Sequence, residues 1–262
     1  MSIFPKALYH YTSSVAMLSI VEHRSIWLSS QWHLNDSAEG KVFCKIASAF
    51  AEQGGYSQDK IESLQNILNK YEFYVNCLTT HRDMLSQWRG YANDGKGVCI
   101  GFNSEALKRI VSGSSIGLLY PVTYADDPTE IPEKLHNLLR QILESSGDPR
   151  ENFIQSLTKE AWAVKSKAFS EENEFRIILT PQSNATQVGF ENGAIAKRKY
   201  RATETDIRDY YELEFGNIDL NDLICEVVLG PKNTSDSTVI ERMLDNFNLK
   251  SVKVTRSAAS YR

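Results

Sequence analysis

The chain has 262 residues, of which 29 are basic and 33 acidic, for a formal net charge of −4. This length suffices for one large domain or two small ones with a buried core that needs no disulfides or metals. The near-neutral balance excludes a general electrostatic attraction to nucleic acid or to an anionic membrane, so any such contact must be local.

Cysteine spacing and hydropathy indicate which cellular compartment to expect. The four cysteines, Cys44, Cys77, Cys99 and Cys225, lie far apart without a C-x-x-C pair, which argues against a zinc knuckle or a redox motif. The N-terminus lacks the long apolar stretch of a signal peptide, and no window reaches the roughly 20 apolar residues of a membrane span. We therefore expect a reduced, cytoplasmic protein without a membrane partner, organised as one domain over residues 1–262.

The first elements alternate between strand and helix. Residues 7–11 form a predicted strand, and Thr12 or Ser13 can cap the helix that follows. The segment "SIWLSS" is typical of a second strand, and "NDSAEG" predicts a turn into a helix that runs through Phe50, capped by Asp36 or Ser37.

The rest of the chain mixes the two element types without strict alternation. The pattern predicts helices over 57–70, over most of 131–168 except a turn at "SSGDPR", and at "STVIERMLDNF". It predicts strands at "FYVNCLTT", 97–102, "LLYPVTYAD", "EFRIILT", "LICEVVLG" and "SVKVTR". This arrangement indicates an α+β fold with flanking helices rather than a doubly wound sheet.

The stretch "YHYTS", residues 9–13, is the first candidate for a polar site. The ring of His10 can donate from one nitrogen to a ligand hydroxyl, and the hydroxyls of Thr12 or Ser13 can add contacts. The alternative is a strand histidine that is satisfied within the protein, followed by a helix cap.

The stretch "SQWRGYANDGKG", residues 86–97, is the second candidate. Trp88 and Tyr91 are one helical turn apart, so their rings can share a face and stack on a planar ligand. Gly95 and Gly97 in the following turn permit close approach of the backbone to a ligand. An aromatic pair buried in the core, followed by an ordinary turn, is equally compatible with these residues.

The stretch "FSEENEFRIIL", residues 169–179, is the third candidate. If the strand begins near Glu172, alternation places Glu172, Glu174 and Arg176 on one face. Two carboxylates at this spacing repel each other unless Arg176, a cation or a ligand relieves the repulsion. A solvated edge strand with one ion pair explains the same residues.

A metal site has less support. Asn35, Asp36 and Glu39 offer oxygen ligands for a divalent cation, but a helix cap explains them equally well. The histidines show no spacing typical of metal ligands, so we expect no metal.

The order of the motifs resembles a bacterial family, domain of unknown function 2971. The resemblance extends over essentially the whole chain and rests on "LYHYTS", "IWLSSQWHLNDSAE", "LSQWRGYANDGKGVCIGF", "ENEFRIIL" and "ICEVVLGPK". The chain departs from the family pattern at Ser37, where the family usually has Pro, and at Phe169, where it usually has Trp.

A looser resemblance is to the ADP-ribosyltransferase-like superfamily, which implies a mixed or antiparallel split sheet and NAD as the substrate. It implies that His10 holds the nicotinamide ribose, that Trp88 or Tyr91 stacks on the nicotinamide, and that Glu174 is the catalytic carboxylate. It further implies that Glu172 orients the acceptor, and we expect the other NAD contacts to come from Tyr11, Thr12 and Arg176.

Three functions follow as hypotheses. The first is an enzyme that transfers ADP-ribose from NAD to a protein or nucleic acid, as a toxin or anti-phage effector with a possible antitoxin partner. The second is a non-catalytic module that binds a nucleotide or a partner protein, and the third is an NAD glycohydrolase. The enzymatic versions require the imidazole of His10 and the carboxylate of Glu174 to face one cavity.

Overall fold

The computed structural model describes residues 4–33, 41–113, 116–145, 151–182 and 184–261. Three predictions fall wholly or partly outside these residues: the caps Asp36 and Ser37, the oxygen ligands Asn35, Asp36 and Glu39, and residues 146–150 of the turn "SSGDPR". The strands are β1 (Ala7–Thr12), β2 (Ser25–Ser30), β3 (Tyr74–Thr79), β4 (Val98–Asn103), β5 (Gly117–Pro121), β6 (Thr123–Tyr124), β7 (Val164–Lys165), β8 (Glu174–Leu179), β9 (Gln187–Gly189), β10 (Ile195–Ala202), β11 (Ile207–Glu214), β12 (Ile224–Leu229) and β13 (Lys253–Arg256). The helices are α1 (Ser14–His23), α2 (Lys41–Gln53), α3 (Gln58–Lys70), α4 (Leu85–Tyr91), α5 (Ser104–Ile110), α6 (Glu133–Leu143), α7 (Glu151–Ala161), α8 (Leu220–Leu223) and α9 (Ser237–Asn246).

One large mixed sheet organises the described residues. Its strand order is β13-β12-β4-β1-β3-β2-β11-β10-β9, and β8 pairs with both β3 and β5. The β12–β13 pair is parallel and the other pairs of this sheet are antiparallel. The predicted α+β class with a mixed sheet and flanking helices is therefore confirmed.

The sheet divides at β3, because this strand has different neighbours along its length. It pairs with β2 at Tyr74 and Val75 and with β1 at Thr79, whereas β8 follows it from end to end. The strands β1 and β2 therefore diverge from each other on the same side of β3, and the connection between them is helix α1.

The two faces of the sheet carry separate cores. Leu8, Leu78 and Ile177 lie on what we call the first face, in a core with α1, α5, α8 and α9. Val75 and Ile178 lie on the second face, under α2, α3, α6 and α7. A smaller cluster on the second face joins Tyr11, Cys99 and Val228 to Trp88 of α4.

Of three local predictions, one holds and two are wrong. Ser13, one of the two proposed caps, begins α1, and its Oγ accepts a hydrogen bond from the amide of Ala16 at 3.1 Å. The predicted strand "LLYPVTYAD" is instead two strands, β5 and β6, which belong to different sheets. The predicted helix that reaches residue 168 ends at Ala161, and residues 164–172 form β7 and a 3₁₀ segment, Lys167–Glu172.

No helix in the described part of the chain is long and apolar enough to cross a membrane.

Candidate functional site

The third sequence candidate forms a compact ionic cluster on the second face. The β8 residues Glu174 and Arg176 lie opposite Thr79 and Cys77 of β3, as alternation along the strand predicts. Glu172 is not part of the strand: it ends the 3₁₀ segment, and Asn173 adopts a left-handed conformation with φ of 40° before β8 begins. The prediction that strand alternation places Glu172 on the face of Glu174 and Arg176 is therefore wrong, although Glu172 still reaches the same cluster.

Lys165 of β7 joins the two carboxylates. Its Nζ lies 2.6 Å from Oε2 of Glu172 and 3.1 Å from Oε2 of Glu174. The guanidinium of Arg176 donates to Glu174 from Nε at 2.7 Å and from Nη2 at 3.2 Å, and its Nη1 donates to the carbonyl of Trp162 at 2.8 Å. The repulsion expected between the carboxylates is thus relieved by two cations rather than by Arg176 alone.

Glu174 is held in its charged form. Burial by itself raises the pKa of this carboxyl group, but the nearby charges of Arg176 and Lys165 outweigh burial and lower the pKa to about 2. Its side chain is only 4% exposed, and both of its oxygens accept hydrogen bonds from these cations. Glu174 therefore has little surface or hydrogen-bonding capacity left for a ligand.

Glu172 is the carboxylate that reaches the surface of the cluster. Its side chain is 12% exposed, and Oε1 accepts a hydrogen bond from the hydroxyl of Tyr91 at 2.9 Å. Tyr91 is 38% exposed, and partial burial together with the charge of Glu172 raises the pKa of its phenol. The ring of Phe169 lies 4.6 Å from Nζ of Lys165 and adds a second aromatic side chain.

We refer to Tyr91, Lys165, Glu172, Glu174 and Arg176 as the carboxylate cluster. Tyr124 lies beside it, where its hydroxyl accepts a hydrogen bond from the amide of Glu174 at 2.8 Å. Burial is the main cause that raises the pKa of Tyr124 to about 12, so this phenol is protonated at neutral pH.

Trp88 does not share the exposure of Tyr91. Its ring is fully buried, its Nε1 donates to Asp83 at 2.6 Å, and it packs edge to face against Tyr11 with ring centroids 4.7 Å apart. Trp88 is therefore a buried core aromatic, which is the alternative given above for this residue. Of the two proposed stacking residues, only Tyr91 offers an exposed ring.

Tyr11 is also engaged within the protein. Its hydroxyl donates to the carbonyl of His81 at 3.0 Å and accepts from the amide of Met84 at 2.9 Å. Burial raises the pKa of Tyr11. This residue thus fixes the segment that leads into α4, and its side chain is buried instead of facing a ligand.

His10 lies on the other face of the sheet. In the β-sheet register Tyr9 pairs with Thr79, which in turn pairs with Glu174, so Tyr9 shares the second face with Glu174 and its neighbour His10 faces the first. Thr12 lies on the first face as well, in register with Val98. The prediction that His10 and Glu174 face a common cavity is therefore wrong.

The imidazole of His10 has a partner in the backbone. Its Nδ1 donates to the carbonyl of Cys77 at 3.1 Å, where β1 diverges from β3. Burial lowers the pKa of His10, so the ring is neutral at neutral pH and carries its proton on Nδ1. This arrangement matches the alternative interpretation of a satisfied strand histidine.

The glycine turn after α4 approaches other parts of the chain. A Cβ on Gly97 would lie 2.1 Å from the carbonyl oxygen of Thr12. Asp94, in the left-handed region with φ of 55°, accepts hydrogen bonds from Tyr261 at 2.6 Å and Lys232 at 2.9 Å. The close approach that this turn permits is thus made by the chain itself.

Lys165 is the cluster residue that the sequence analysis missed. It follows the apolar stretch "AWAV" in a region with helical periodicity, and a two-residue strand is too short for period-2 alternation to be detected. Among the residues that the structure describes, no three His, Cys, Asp or Glu side chains converge as a set of metal ligands.

Comparison with protein families supports part of the predicted resemblance. The model of the family described as "Protein of unknown function (DUF2971)" matches residues 87–177, a stretch that begins in α4 and ends in β8. All five residues of the carboxylate cluster fall within this stretch, and His10 lies outside it. Neither the curated proteins nor the solved structures contain a match to the chain.

Proposed function

We propose that the chain is an enzyme that breaks the bond between nicotinamide and ribose in NAD and transfers ADP-ribose, with Glu172 as the carboxylate that contacts the substrate. The observation that carries this proposal is the position of Glu172 at the surface of the carboxylate cluster. The hydroxyl of Tyr91 and the ammonium of Lys165 hold it there at 2.9 and 2.6 Å. The resemblance to ADP-ribosyltransferases, which motivates NAD as the substrate, places this role on Glu174 instead.

The reaction suits a fixed carboxylate in a partly dry site. As the bond between ribose C1′ and the nicotinamide nitrogen breaks, its electron pair leaves with nicotinamide, and positive charge develops on the ribose. A carboxylate held by the protein stabilises that charge more than mobile water does. An acceptor nucleophile then bonds to C1′ and releases a proton.

The other cluster residues have supporting roles in this proposal. The partly exposed ring of Tyr91 lies beside Glu172 and offers a face to the cationic nicotinamide before the bond breaks. Glu174 is a positioning residue because it holds Lys165, which in turn holds Glu172, and Arg176 is one because it holds Glu174. The version of the enzyme in which His10 and Glu174 face one cavity is given up, because His10 faces away from these groups. The proposal replaces that pair with Glu172.

A non-catalytic binding module is the second candidate, and one observation favours it. The two carboxylates of the cluster are matched by two cations, and three of these four side chains are almost fully buried. Such a neutral network also serves simply to join β7 and β8. In that case NAD or another nucleotide would raise the unfolding temperature without any release of nicotinamide.

A turnover assay on purified protein distinguishes these functions. We expect the wild type to release nicotinamide from NAD, and Glu172→Gln to lower the rate at least about a hundredfold because the charge that stabilises the transition state is lost. Glu171→Gln is the matched control, since Glu171 is the exposed neighbour of Glu172. His10→Gln should retain activity within about twofold.

The outcomes that contradict the proposal are specific. Absence of nicotinamide release by the wild type, together with stabilisation by NAD, would favour the binding module. Full activity of Glu172→Gln would remove Glu172 from the mechanism, and a large loss in a folded His10→Gln protein would restore the original assignment.

The acceptor is tested with labelled NAD in whole-cell lysate. We expect the label on a macromolecule, and digestion with nuclease or protease then identifies the acceptor as nucleic acid or protein. Free ADP-ribose as the main product would instead indicate an NAD glycohydrolase. If the enzyme acts as a toxin, its expression should be lethal, and Glu172→Gln should abolish the lethality.

A further inference from the structure

The strands β2, β11 and β10 extend the sheet beyond the carboxylate cluster and carry a distinct set of side chains on the second face. Ser29 of β2 pairs with Val75 and with Tyr210, so Tyr210 and Trp27 share the second face with Val75. Tyr210 pairs in turn with Lys199 of β10, and Arg201 pairs with Arg208 two residues along. We call this surface the open face: Trp27, Lys199, Arg201, Arg208 and Tyr210.

Two aromatic rings form the centre of the open face. The ring centroids of Trp27 and Tyr210 lie 4.3 Å apart with an interplanar angle of 34°, and Trp27 is 38% exposed. Neither residue belongs to a hydrophobic cluster formed within the described ranges. The two ring planes are tilted and Tyr210 is only 9% exposed, so Trp27 is the ring of this pair that a ligand can reach. An exposed aromatic ring is a platform on which a planar base can stack.

Two arginines lie directly opposite each other beside this pair. Like charges at such a cross-strand position repel, which favours the presence of an anion between or above them. Arg208 also forms an ion pair with Asp206: its Nε donates to Oδ1 at 3.1 Å and to Oδ2 at 3.0 Å. The guanidinium of Arg201 lies 5.7 Å from the ring centroid of Trp27, and in the described part of the chain its buried Nε has no hydrogen-bond partner.

The other charged side chains on and beside the open face form partly exposed ion pairs. Lys199 lies 3.7 Å from Glu212, and the adjacent Lys197 lies 2.6 Å from Glu214. These side chains are all partly exposed, and ion pairs of that kind contribute little to stability. Phosphate groups can therefore replace the carboxylates at small cost, whereas a carboxylate-rich partner would bring no ring to stack on Trp27.

We propose that the open face binds single-stranded nucleic acid, with a base stacked on Trp27 and phosphates contacted by Lys199, Arg201 and Arg208. Single strands suit this surface because their bases are unpaired and can stack on side chains. The bases of a duplex are already paired and stacked on one another. The overall charge of the chain excludes a general attraction to nucleic acid, so binding depends on this local patch. The inference is independent of the reaction proposed for Glu172.

The test is fluorescence polarisation of the full chain with labelled oligonucleotides of about 12 nucleotides, as single-stranded RNA, single-stranded DNA and duplex DNA. We expect tighter binding to single strands than to the duplex. With three phosphate contacts, the logarithm of the affinity should fall with the logarithm of salt concentration with a slope of about −2 between about 50 and about 200 mM.

Substitutions at Trp27 and Arg201 distinguish the contribution of stacking to binding from the contribution of charge. Trp27→Ala should weaken binding about tenfold with little change in the salt slope, because a stacking partner is lost. Arg201→Gln should also weaken binding and should make the slope shallower by about 0.7, because one phosphate contact is lost. Lys253→Gln, which removes an exposed cation of β13 at the far end of the sheet, is the matched control and should bind as the wild type does.

Three results would overturn the inference: no binding at about 50 mM salt, equal affinity for duplex and single strands, or the same affinity in Arg201→Gln as in Lys253→Gln. If Trp27→Ala fails to fold by circular dichroism, Arg201→Gln still decides the question, because Arg201 contributes no buried apolar surface to the three hydrophobic clusters of the described residues.

Discussion

Glu174 and Arg176 form a two-point ion pair within a single strand, with Nε of Arg176 2.7 Å from one carboxylate oxygen and Nη2 3.2 Å from the other. Both side chains are almost fully buried, at 4% and 1% exposure. Removing one member of such a pair leaves an uncompensated charge in the interior, which is the costly way to alter a buried ion pair.

We therefore expect Glu174→Gln to lower the free energy of unfolding by about 3 to 5 kcal/mol, because Arg176 and Lys165 both lose their shared carboxylate. Urea denaturation followed by circular dichroism measures this change. Glu171→Gln, at an exposed position, should stay within about 0.5 kcal/mol of the wild type. A loss below about 1 kcal/mol in Glu174→Gln would show that the ion pair is not a main support of β8.

The same carboxylate predicts how stability depends on pH. The folded pKa of Glu174 is lowered from an ordinary 4.5 to about 2, so below pH 4.5 the unfolded chain binds a proton that the folded chain does not. The contribution of Glu174 is fully present above pH 4.5 and is lost as the pH falls towards 2. Its size is at most about 3 kcal/mol.

Unfolding free energies measured between pH 7 and 2 test this dependence. The pKa of Asp83 is also lowered, where hydrogen bonds from Ser257 and Trp88 outweigh burial, so part of the slope comes from other groups. The difference between wild type and Glu174→Gln isolates the contribution of Glu174. That difference should shrink as the pH falls below 4.5, and a constant difference would contradict the lowered pKa.

Gly90 lies before the turn that follows α4, and Gly97 lies after it. Substitution of each by alanine gives a matched pair of variants. Gly97→Ala should destabilise the protein by about 3 kcal/mol, because the new Cβ would lie 2.1 Å from the carbonyl oxygen of Thr12 and would push β1 and β4 apart. Gly90 lies in α4 with open space around its Cβ position, so Gly90→Ala should be neutral or stabilising by up to about 1 kcal/mol. Urea midpoints that move equally for the two variants would show that β1 and β4 separate at little cost.

Local patterns in the sequence predict much of what surrounds the candidate site. The two-residue period of β8 places Glu174 and Arg176 on one face, and the hydroxyl at residue 13 marks the start of α1, because each depends only on neighbouring residues. The hairpin β10–β11 has no predicted counterpart. Its strands carry charged or polar side chains on both faces, which removes the apolar alternation by which a half-buried strand is recognised.

The sequence by itself determined the class of the fold, the placement of Glu174 and Arg176 on one face of β8, and the start of α1 at Thr12 or Ser13. Only the tertiary structure decided that His10 and Glu174 face opposite sides, and that Lys165, from a separate strand, completes the carboxylate cluster. The physical reason is register. Side chains alternate within a strand irrespective of its neighbours, but the face on which a residue of one strand lies relative to a residue of another depends on which backbone groups pair across the strands between them.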